Sequence, residues 1–264
     1  MSCSPHDSDA IPPPTMQPSG SSSTQVSRQD RLSALPDHIL LCIVSDLGLH
    51  AVVRASALSR RWRRIPPLLG DLAIDVADFM PRHDDGDLPP DTVNRAMAKY
   101  ACAARRLLAP SEERAIRSLS LRFYLAAEPH HAHSVGRAVA DAVDGAGTER
   151  LEFDLLTGQD PGTARAPTRR QRSLFRQRFA SFRDACPVAF SRLTRLTLQN
   201  VDFADDDLPA LLGACESLRH LSLSHCVLGG GRKSVVEIDA PQSQLVELEL
   251  DSCVYGKVDL VRVC

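Results

Sequence analysis

The sequence lacks a strong excess of charge of either sign. It has 31 Lys and Arg residues against 33 Asp and Glu residues, for a formal net charge of −2. No long-range field therefore attracts nucleic acid or an anionic membrane, and either partner would need a local patch of charge. No uninterrupted apolar run approaches the roughly 20 residues that cross a bilayer, and the first residues hold no apolar core like that of a signal peptide. We expect an intracellular protein of the cytoplasm, the nucleus or both, without a membrane partner.

The sequence also lacks the motifs of common enzyme and metal sites. None of its eight cysteines forms a Cys-x-x-Cys pair, which is the spacing of zinc ribbons and thioredoxin-like sites. The G-x-S-x-G, H-E-x-x-H and dinucleotide-binding patterns do not occur either. Several cysteines fall within apolar patterns, where a free thiol behaves as a small buried hydrophobe, and a reducing compartment fits them best. We expect no catalytic residue, no metal and no cofactor, and a protein that is not an enzyme.

Two local patterns resemble ligand sites only in part. His130, His131 and His133 stand together, but no carboxylate or thiol follows at ligand spacing in the same turn. Gly229 begins a Gly-Gly-Gly-Arg-Lys-Ser run, in which Arg232 breaks the order of a phosphate-binding loop. We interpret the histidines as part of a polar loop and the glycines as a flexible loop.

The first 70 residues divide into two parts. Residues 1–29 are rich in Ser, Pro, Gln and Asp and bury too little apolar surface to offset the entropy of ordering, which predicts a disordered tail. An amphipathic pattern follows, in which Pro36 and Asp37 suit the first turn of a helix and Gly48 suits its end. The apolar residues between them recur at helical spacing: Ile39, Leu40, Ile43, Val44 and Leu47.

Two more helices are expected in this part of the chain, one over residues 51–58 and one that runs through Trp62. Three helices in roughly 35 residues bury too little apolar surface to be stable alone. Such a unit needs a partner, which indicates a docking module at residues 30–70.

A linker and a helical connector are predicted for residues 71–114. Residues 81–92 are acidic and contain prolines, which is typical of a loop. A helical pattern then ends near Pro110, and its apolar positions are Val93, Met97, Tyr100 and Ala104.

Short apolar strands alternate with helical or loop stretches from about residue 115. Three segments fit the leucine-rich strand pattern L-x-x-L-x-L, beginning at Leu193, Leu218 and Leu245, 25 and 27 residues apart. Two weaker units precede them, with apolar positions at Ile116, Leu119 and Leu121 and then at Leu151, Phe153 and Leu155. Each unit has an apolar face that only its neighbours cover, so we expect parallel strands stacked in a curved sheet over residues 115–264.

Cys226 and Cys253 occupy the position where this repeat takes Asn or Cys, from which a small side chain turns inward to loop backbone groups. The first unit has Val201 there and Asn200 one residue early, which predicts an atypical turn. Residues 261–264 fit a further apolar strand with no polar capping repeat after it. The polar positions between the leucines are the candidates for substrate binding on the concave face: Thr197, Gln199, Arg219, Ser222, Glu247 and Glu249.

Residues 165–178 hold six arginines and no acidic residue, which would fit nuclear import or a contact with nucleic acid. However, Phe175, Phe179 and Phe182 recur at helical spacing, with Cys186 one turn further. That pattern is typical of an amphipathic helix whose arginines are solvated. We favour a helix packed on the repeats, and nucleic acid is not the expected partner.

Residues 30–64 resemble the F-box. The run LSRRWR after V-R-x-S-x-L is especially similar to plant F-box/leucine-rich-repeat proteins of the FBD type, whose I-x-A-P element matches residues 238–241. The resemblance implies an α/β fold, in which a small all-α F-box of three helices precedes an irregular leucine-rich solenoid. Such relatives usually continue into a C-terminal FBD region, which the sequence does not show, so we expect a short isoform, a gene fragment or a truncated sequence. The residues that carry the F-box resemblance are Leu35-Pro36-Asp37, Ile39-Leu40, Ile43, Ser45, Leu47, Val53-Arg54, Ser56 and Leu58-Ser59-Arg60-Arg61-Trp62.

The resemblance also implies a function. An F-box docks onto a Skp-type adaptor and through it onto the cullin of an SCF-type ubiquitin ligase, while the repeats hold a protein substrate. The alternative is a truncated or non-ligase F-box protein that binds the adaptor without delivering substrate. Gly48, Ala51 and His38 depart from the Pro, Asp and acidic residue that are usual there, which lowers the expected adaptor affinity. By position, the adaptor-binding residues would be Leu35, Pro36, Ile39, Leu40, Ile43, Leu47, Val53, Leu58 and Trp62.

Overall fold

The computed structural model describes residues 35–45, 70–81, 89–110, 116–125, 127–143, 147–158, 167–231, 235–240 and 242–263. In chain order its elements are α1 Asp37–Ser45, β1 Asp71–Asp75, a 3-10 turn Val76–Phe79, α2 Pro90–Leu107, β2 Ser118–Tyr124, α3 Pro129–Val143, β3 Arg150–Leu156, α4 Arg169–Ala185, α5 Pro187–Ser191, β4 Arg195–Gln199, β5 Asp202–Phe203, α6 Asp207–Ala214, β6 His220–Ser224, β7 Val227–Leu228, β8 Val235–Ala240, β9 Glu247–Asp251 and β10 Lys257–Val263. The fold is therefore α/β, as the sequence predicts.

The main sheet has six parallel strands in the order β1-β2-β3-β4-β6-β9. Parallel neighbours need a crossover between them, and the intervening helices and loops supply it. The leucine pattern sets the register, since Leu196 of β4 lies beside Leu221 of β6, which lies beside Leu248 of β9. The two weaker repeat units form β2 and β3, with Leu119 beside Leu151. All five predicted units are therefore strands of one sheet.

One face of this sheet is buried by helices. In α2 the predicted apolar positions Val93, Met97, Tyr100 and Ala104 are all buried, so this helix packs as its spacing indicates. The rings of the core contact one another edge to face. The ring centroid of Phe182 in α4 lies 5.7 Å from that of Phe123 and 5.1 Å from that of Phe190. Such contacts add to the area burial that drives the layers together.

The sheet begins earlier in the chain than the sequence predicts. β1 lies within the range 71–114 that the sequence assigns to a connector, and Leu72 and Ile74 of β1 pair with Leu119 and Leu121 of β2. Only two apolar residues alternate in β1, and that is too short a pattern to distinguish a strand from a loop. The main sheet therefore extends back to Asp71.

Each turn after β4, β6 and β9 has the same backbone shape. Asn200, His225 and Ser252 have positive φ values of 58°, 52° and 52°. The second residue after each of them, Asp202, Val227 or Val254, takes part in a second, shorter ladder beside the main sheet. The prediction of an atypical turn at Asn200 is wrong for the backbone. Asn adopts the left-handed conformation more readily than most residues, so Asn200 suits the positive-φ position of this turn.

The carboxyl-terminal strand does not join the main sheet. β10 pairs in parallel with β8, and these two strands form a sheet of their own. Residues 261–263 therefore belong to a strand, as their apolar pattern predicts, while the neighbour of that strand is β8 and not the last leucine repeat.

Gly229, Gly230 and Gly231 lie between β7 and β8 with positive φ, in agreement with the predicted loop.

The histidine cluster lies on a helix, so the prediction of a polar loop is wrong. Pro129 opens α3, where its fixed φ suits the first helical turn, and the histidines follow within that helix. His133 contacts Ser181 at 3.1 Å, whereas the rings of His130 and His131 lie against each other. Within the described ranges, no three His, Cys, Asp or Glu side chains lie where they could share a metal ion.

Candidate protein-interaction surfaces

The first surface is on α1, inside the segment that resembles an F-box. The main-chain oxygen of Pro36 accepts hydrogen bonds of 3.1 Å from the amides of Ile39 and Leu40, so the helix starts where proline predicts. Ile39 keeps 38% of its surface exposed, whereas Leu40 keeps 0%. Leu35 and Ile43 are half-buried and Pro36 is exposed.

These exposures separate two roles among the predicted adaptor-binding residues. Ile39 is available to a partner, while Leu40 is fully buried. The other four residues of that set lie outside the described residues: Leu47, Val53, Leu58 and Trp62.

The second surface is the open face of the main sheet. The register lines up its side chains in rows across the strands. The row nearest the amino ends is Asp71, Ser118 and Arg150. The second row is Ala73, Ser120, Glu152, Arg195, His220 and Glu247. The next is Asp75, Arg122, Asp154, Thr197, Ser222 and Glu249, and beyond it lie Gln199, Ser224 and Asp251.

Ion pairs and hydrogen bonds connect neighbours along these rows. Nε of Arg122 lies 3.0 Å from Oδ2 of Asp154, and its Nη1 lies 3.6 Å from Oδ2 of Asp75. Burial raises the pKa of the Asp154 carboxyl, Arg122 opposes that shift, and Asp75 adds to it. Further along the same row, the Ser222 hydroxyl donates to Oε2 of Glu249 over 2.9 Å. The face is therefore a polar, largely self-paired surface with its ionised groups fixed on rigid strands.

Five of the six predicted substrate-binding residues lie on this open face, namely Thr197, Gln199, Ser222, Glu247 and Glu249. Arg219 does not, because it precedes β6 by one residue and lies at the amino edge of the sheet. The prediction missed Glu152, Arg195 and His220. The sequence does indicate their position. Each immediately precedes an inward-facing apolar residue of its strand, and successive side chains of a strand point to opposite faces.

Thiols occupy the inward position after two of the turns. Sγ of Cys226 lies 3.4 Å from the main-chain oxygen of Ser224, and Sγ of Cys253 lies 3.2 Å from that of Leu223. The predicted inward turn of these thiols toward main-chain groups is therefore confirmed, although the carbonyls of Leu223 and Ser224 belong to β6 and not to a loop. A hydrogen bond with Cys253, together with burial, raises the pKa of the Cys226 thiol.

From Arg169 onward the arginine-rich stretch lies in α4, and the three phenylalanines of this helix are buried, as their spacing predicts. Thr168 caps this helix by accepting a hydrogen bond from the amide of Gln171. Two of the arginines are not simply solvated: Arg176 pairs with Asp207 at 2.6 Å, and Arg178 donates to the main-chain oxygen of Ala127 over 2.8 Å. Fewer arginines are therefore free for an external polyanion than the sequence suggests.

Every helix in the described ranges is too short or too polar to span a lipid bilayer.

Comparison with known proteins identifies both regions. Residues 32–66 match the F-box domain family, and residues 152–259 match the family of leucine-rich repeats of the FBD-associated F-box protein At5g56370. No solved structure matches the chain.

Three relatives illustrate the range of similarity. The F-box/FBD/LRR-repeat protein At5g56420 of Arabidopsis thaliana is 30% identical over 236 residues, which cover 86% of this chain and 50% of that protein. The FBD-associated F-box protein At1g60410 of Arabidopsis thaliana is 45% identical over 64 residues, 24% of this chain and 16% of that protein. The MEIOTIC F-BOX protein MOF of Oryza sativa subsp. japonica is 42% identical over 66 residues, 25% of this chain and 14% of that protein.

Relatives that match along most of this chain are about twice its length, so the chain spans about half of them. The two family matches follow one another in the order that the sequence predicts, with the docking segment first and the repeats after it. The chain therefore combines an F-box with leucine-rich repeats of the FBD-associated type, and it is similar along most of its length to F-box/FBD/LRR-repeat proteins.

Proposed function

We propose that this protein is the substrate-recognition subunit of an SCF-type ubiquitin ligase. Residues 30–70 bind a Skp-type adaptor that connects to a cullin, and the leucine-rich solenoid holds a protein substrate. The match of residues 32–66 to the F-box is the observation that carries the proposal. The subunit makes and breaks no bond; it acts by proximity, since a tethered substrate meets the transfer machinery at high effective concentration.

The exposure of Ile39 on α1 supports a contact with the adaptor at this helix. Apolar side chains that enter a partner's pocket dominate such interfaces, and large aromatic anchors contribute most. Trp62 is the only tryptophan of the sequence, and it stands within the F-box match. We therefore place Ile39 and Trp62 at the centre of the adaptor contact.

Co-expression of the full chain with a Skp-type adaptor, followed by affinity capture, tests this contact. We expect Ile39→Asp and Trp62→Ala each to weaken adaptor capture by roughly tenfold or more. Leu174→Asp is the matched control, because Leu174 is 41% exposed, close to Ile39 at 38%. Leu40→Ala is not a suitable probe, since Leu40 is buried and its loss would disturb the packing of the segment. Full adaptor capture by the Ile39→Asp, Trp62→Ala double variant would overturn the proposal.

A second candidate is an F-box protein that occupies the adaptor without delivering substrate. It is favoured by one observation, that ion pairs and hydrogen bonds already join neighbouring side chains across the open face of the main sheet. Reconstitution with cullin and the ubiquitin-transfer enzymes separates the two, because only the ligase subunit supports ubiquitin transfer to a protein that its repeats capture.

A further inference from the structure

A basic pocket lies at the amino ends of β3, β4 and β6, where the open face of the main sheet meets its amino edge. It has a volume of 720 Å³, and four arginines line it against two glutamates. We call it the basic pocket and define it by Arg150, Arg192, Arg195, Arg219 and His220.

The glutamates do not neutralise these arginines. Oε1 of Glu152 is shared between Nε of Arg195 at 3.6 Å and Nε of Arg150 at 3.9 Å, so a single carboxylate serves two guanidinium groups. His220 is engaged with Glu247, whose Oε2 lies 2.9 Å from its Nδ1. In the part of the chain that the structure describes, Arg192 and Arg219 form no ion pair, and both are exposed. The pocket therefore keeps a surplus of positive charge with unused donors.

The backbone that carries the pocket is rigid. The amide of Arg219 donates to the main-chain oxygen of Thr194 over 2.9 Å, and the carbonyl of Arg219 accepts from Val246 and Glu247. The Thr194 hydroxyl in turn donates to the main-chain oxygen of Leu151 over 2.8 Å. Adjacent strands lie about 4.8 Å apart, so the stems of Arg195 and Arg219 start close together. A ligand would therefore order only side-chain ends, which lowers the entropic cost of binding.

We propose that the basic pocket binds a phosphate monoester on a polypeptide, such as a phosphoserine or phosphothreonine of a protein partner. A phosphate carries more charge than a carboxylate and accepts bidentate hydrogen bonds from the planar guanidinium fork. This inference rests on the proposed function, because it names the chemistry of the substrate that the repeats would hold.

The surroundings of the pocket favour a short phosphorylated segment over a nucleic acid. No Phe, Tyr or Trp is among its lining residues, so bases would find no aromatic ring on which to stack. Glu247, Glu249 and Asp251 follow one another along β9 beside the pocket and would repel an extended polyanion. The neighbouring polar row of the open face, with Thr197 and Ser222, offers hydrogen-bonding groups to a peptide backbone.

The test is a titration of the full chain with two fluorescent degenerate peptide pools, one with a central phosphoserine and one with serine in its place. We expect the phosphorylated pool to bind about tenfold or more tightly, with an affinity that falls as salt is added. Equal affinity for the two pools would overturn the proposal.

Substitution locates the binding. Arg192→Gln with Arg219→Gln should remove the preference for phosphoserine. The pair Arg169→Gln and Arg170→Gln removes the same charge from two exposed positions of α4 and should leave the preference unchanged. Loss of the preference in both double variants would show a charge effect alone and would overturn the pocket assignment.

Inorganic phosphate and ATP distinguish the source of the phosphate. If inorganic phosphate or ATP binds at the basic pocket, the proposal requires that the phosphopeptide pool displace it. If they bind there and the peptide pool does not, the polypeptide assignment is overturned. Adaptor capture separates this proposal from the proposed function: the Arg192→Gln, Arg219→Gln variant should capture adaptor as the unchanged chain does, and Ile39→Asp should keep the phosphopeptide preference.

Discussion

The phenol hydroxyl of Tyr100 in α2 donates a hydrogen bond of 3.1 Å to the main-chain oxygen of Ile74 in β1. Both residues are buried, and the Tyr100 ring also lies against Phe79 and Phe123, each with a centroid separation of 5.7 Å. β1 is the first strand in the order of the main sheet, so this bond ties the sheet's outermost strand to the helical layer.

Replacement of Tyr100 by Phe keeps the ring and removes the bond. A buried carbonyl then loses a donor, so we expect the free energy of unfolding to fall by about 1–2 kcal/mol. Urea denaturation followed by circular dichroism measures the change. Tyr255→Phe is the control, because the Tyr255 ring is 38% exposed and its hydroxyl can hydrogen-bond to water. Equal stability of Tyr100→Phe and the unchanged chain would show that the bond contributes nothing.

The same tyrosine predicts a dependence on pH. Burial, and to a smaller extent Asp75, raises the pKa of Tyr100 well above its ordinary value. Below about pH 10 the phenol is protonated in both the folded and the unfolded chain, and its contribution is constant. Above that pH the unfolded chain loses the proton first, so stability falls as pH rises toward the pKa of the folded state, by at most about 1.4 kcal/mol per pH unit. Tyr100→Phe should show a shallower decline between pH 10 and 11, and parallel curves would contradict this origin.

The strands and helices that the sequence predicts correctly have long periodic patterns. Leu218, Leu221 and Leu223 define β6 because the repeat recurs twice more with the same spacing. Phe175, Phe179 and Phe182 define the buried side of α4 because three large apolar residues at helical spacing have no other common face. In both cases the local sequence pattern indicates which side of the strand or helix is buried.

The features that the sequence does not predict depend on alignment between strands. The basic pocket combines Arg150, Arg192 and Arg219, which are up to 69 residues apart and meet only because the strand starts lie side by side. A one-residue slip would turn Arg195 and His220 to the other face. The sequence contains these residues, but the register that brings them together is a property of the folded sheet.

A close approach between α3 and α4 gives a third prediction. A Cβ added to Gly136 would lie 2.8 Å from Cε2 of Phe182 and would also clash with Cys186. We expect Gly136→Ala to lower stability by roughly 1–3 kcal/mol, despite the better helix propensity of alanine. Thermal denaturation is the measurement. Gly136→Ala combined with Cys186→Ala should recover only part of the loss, since it removes Sγ, the nearest obstacle, while Cβ of residue 186 and Cε2 of Phe182 each remain at 2.8 Å.

Gly213 in α6 provides the opposite case, because an added Cβ there meets nothing within 4 Å. Gly213→Ala should raise stability by about 0.4–1 kcal/mol, since it reduces the freedom of the unfolded chain. If both alanine variants shift stability in the same direction, the close approach at Gly136 is not the cause.

The cysteines should differ in their reaction with iodoacetamide, because only the thiolate is alkylated. Burial raises the pKa of Cys186 to about 11 and that of Cys215 to about 12. A hydrogen bond from Cys226 lowers the pKa of Cys253, against the effect of burial. At pH 8.5 we therefore expect Cys253 to be alkylated ahead of Cys186, Cys215 and Cys226, as measured by time-resolved peptide mapping.

Two controls support the interpretation of that order. In denaturant all four thiols should react at similar rates, because the environments that separate them are gone. Cys226→Ala should slow the alkylation of Cys253, since it removes the donor that stabilises the thiolate. Faster reaction of Cys253 in that variant would mean that Cys226 acts by covering it instead.

The ion pair between Arg176 of α4 and Asp207 of α6 predicts an unequal effect of its two partners. Nε of Arg176 lies 2.6 Å from Oδ2 of Asp207, and the same oxygen accepts a hydrogen bond of 2.7 Å from the amide of Ala204. The Arg176 side chain is 43% exposed, so solvent screens the pair and we expect Arg176→Gln to cost about 0.5–1 kcal/mol. Asp207→Ala should cost about 1 kcal/mol more than Arg176→Gln, because it also leaves the Ala204 amide without its acceptor at the start of α6.

A double-mutant cycle in urea isolates the part that belongs to the pair. The coupling energy between Arg176→Gln and Asp207→Ala should be positive and should shrink as salt is added, because screening weakens the attraction. Arg169→Gln in the exposed first turn of α4 should change stability little or raise it, since a cation there opposes the helix dipole. A coupling of zero would show that the ion pair between Arg176 and Asp207 does not contribute to the stability of the fold.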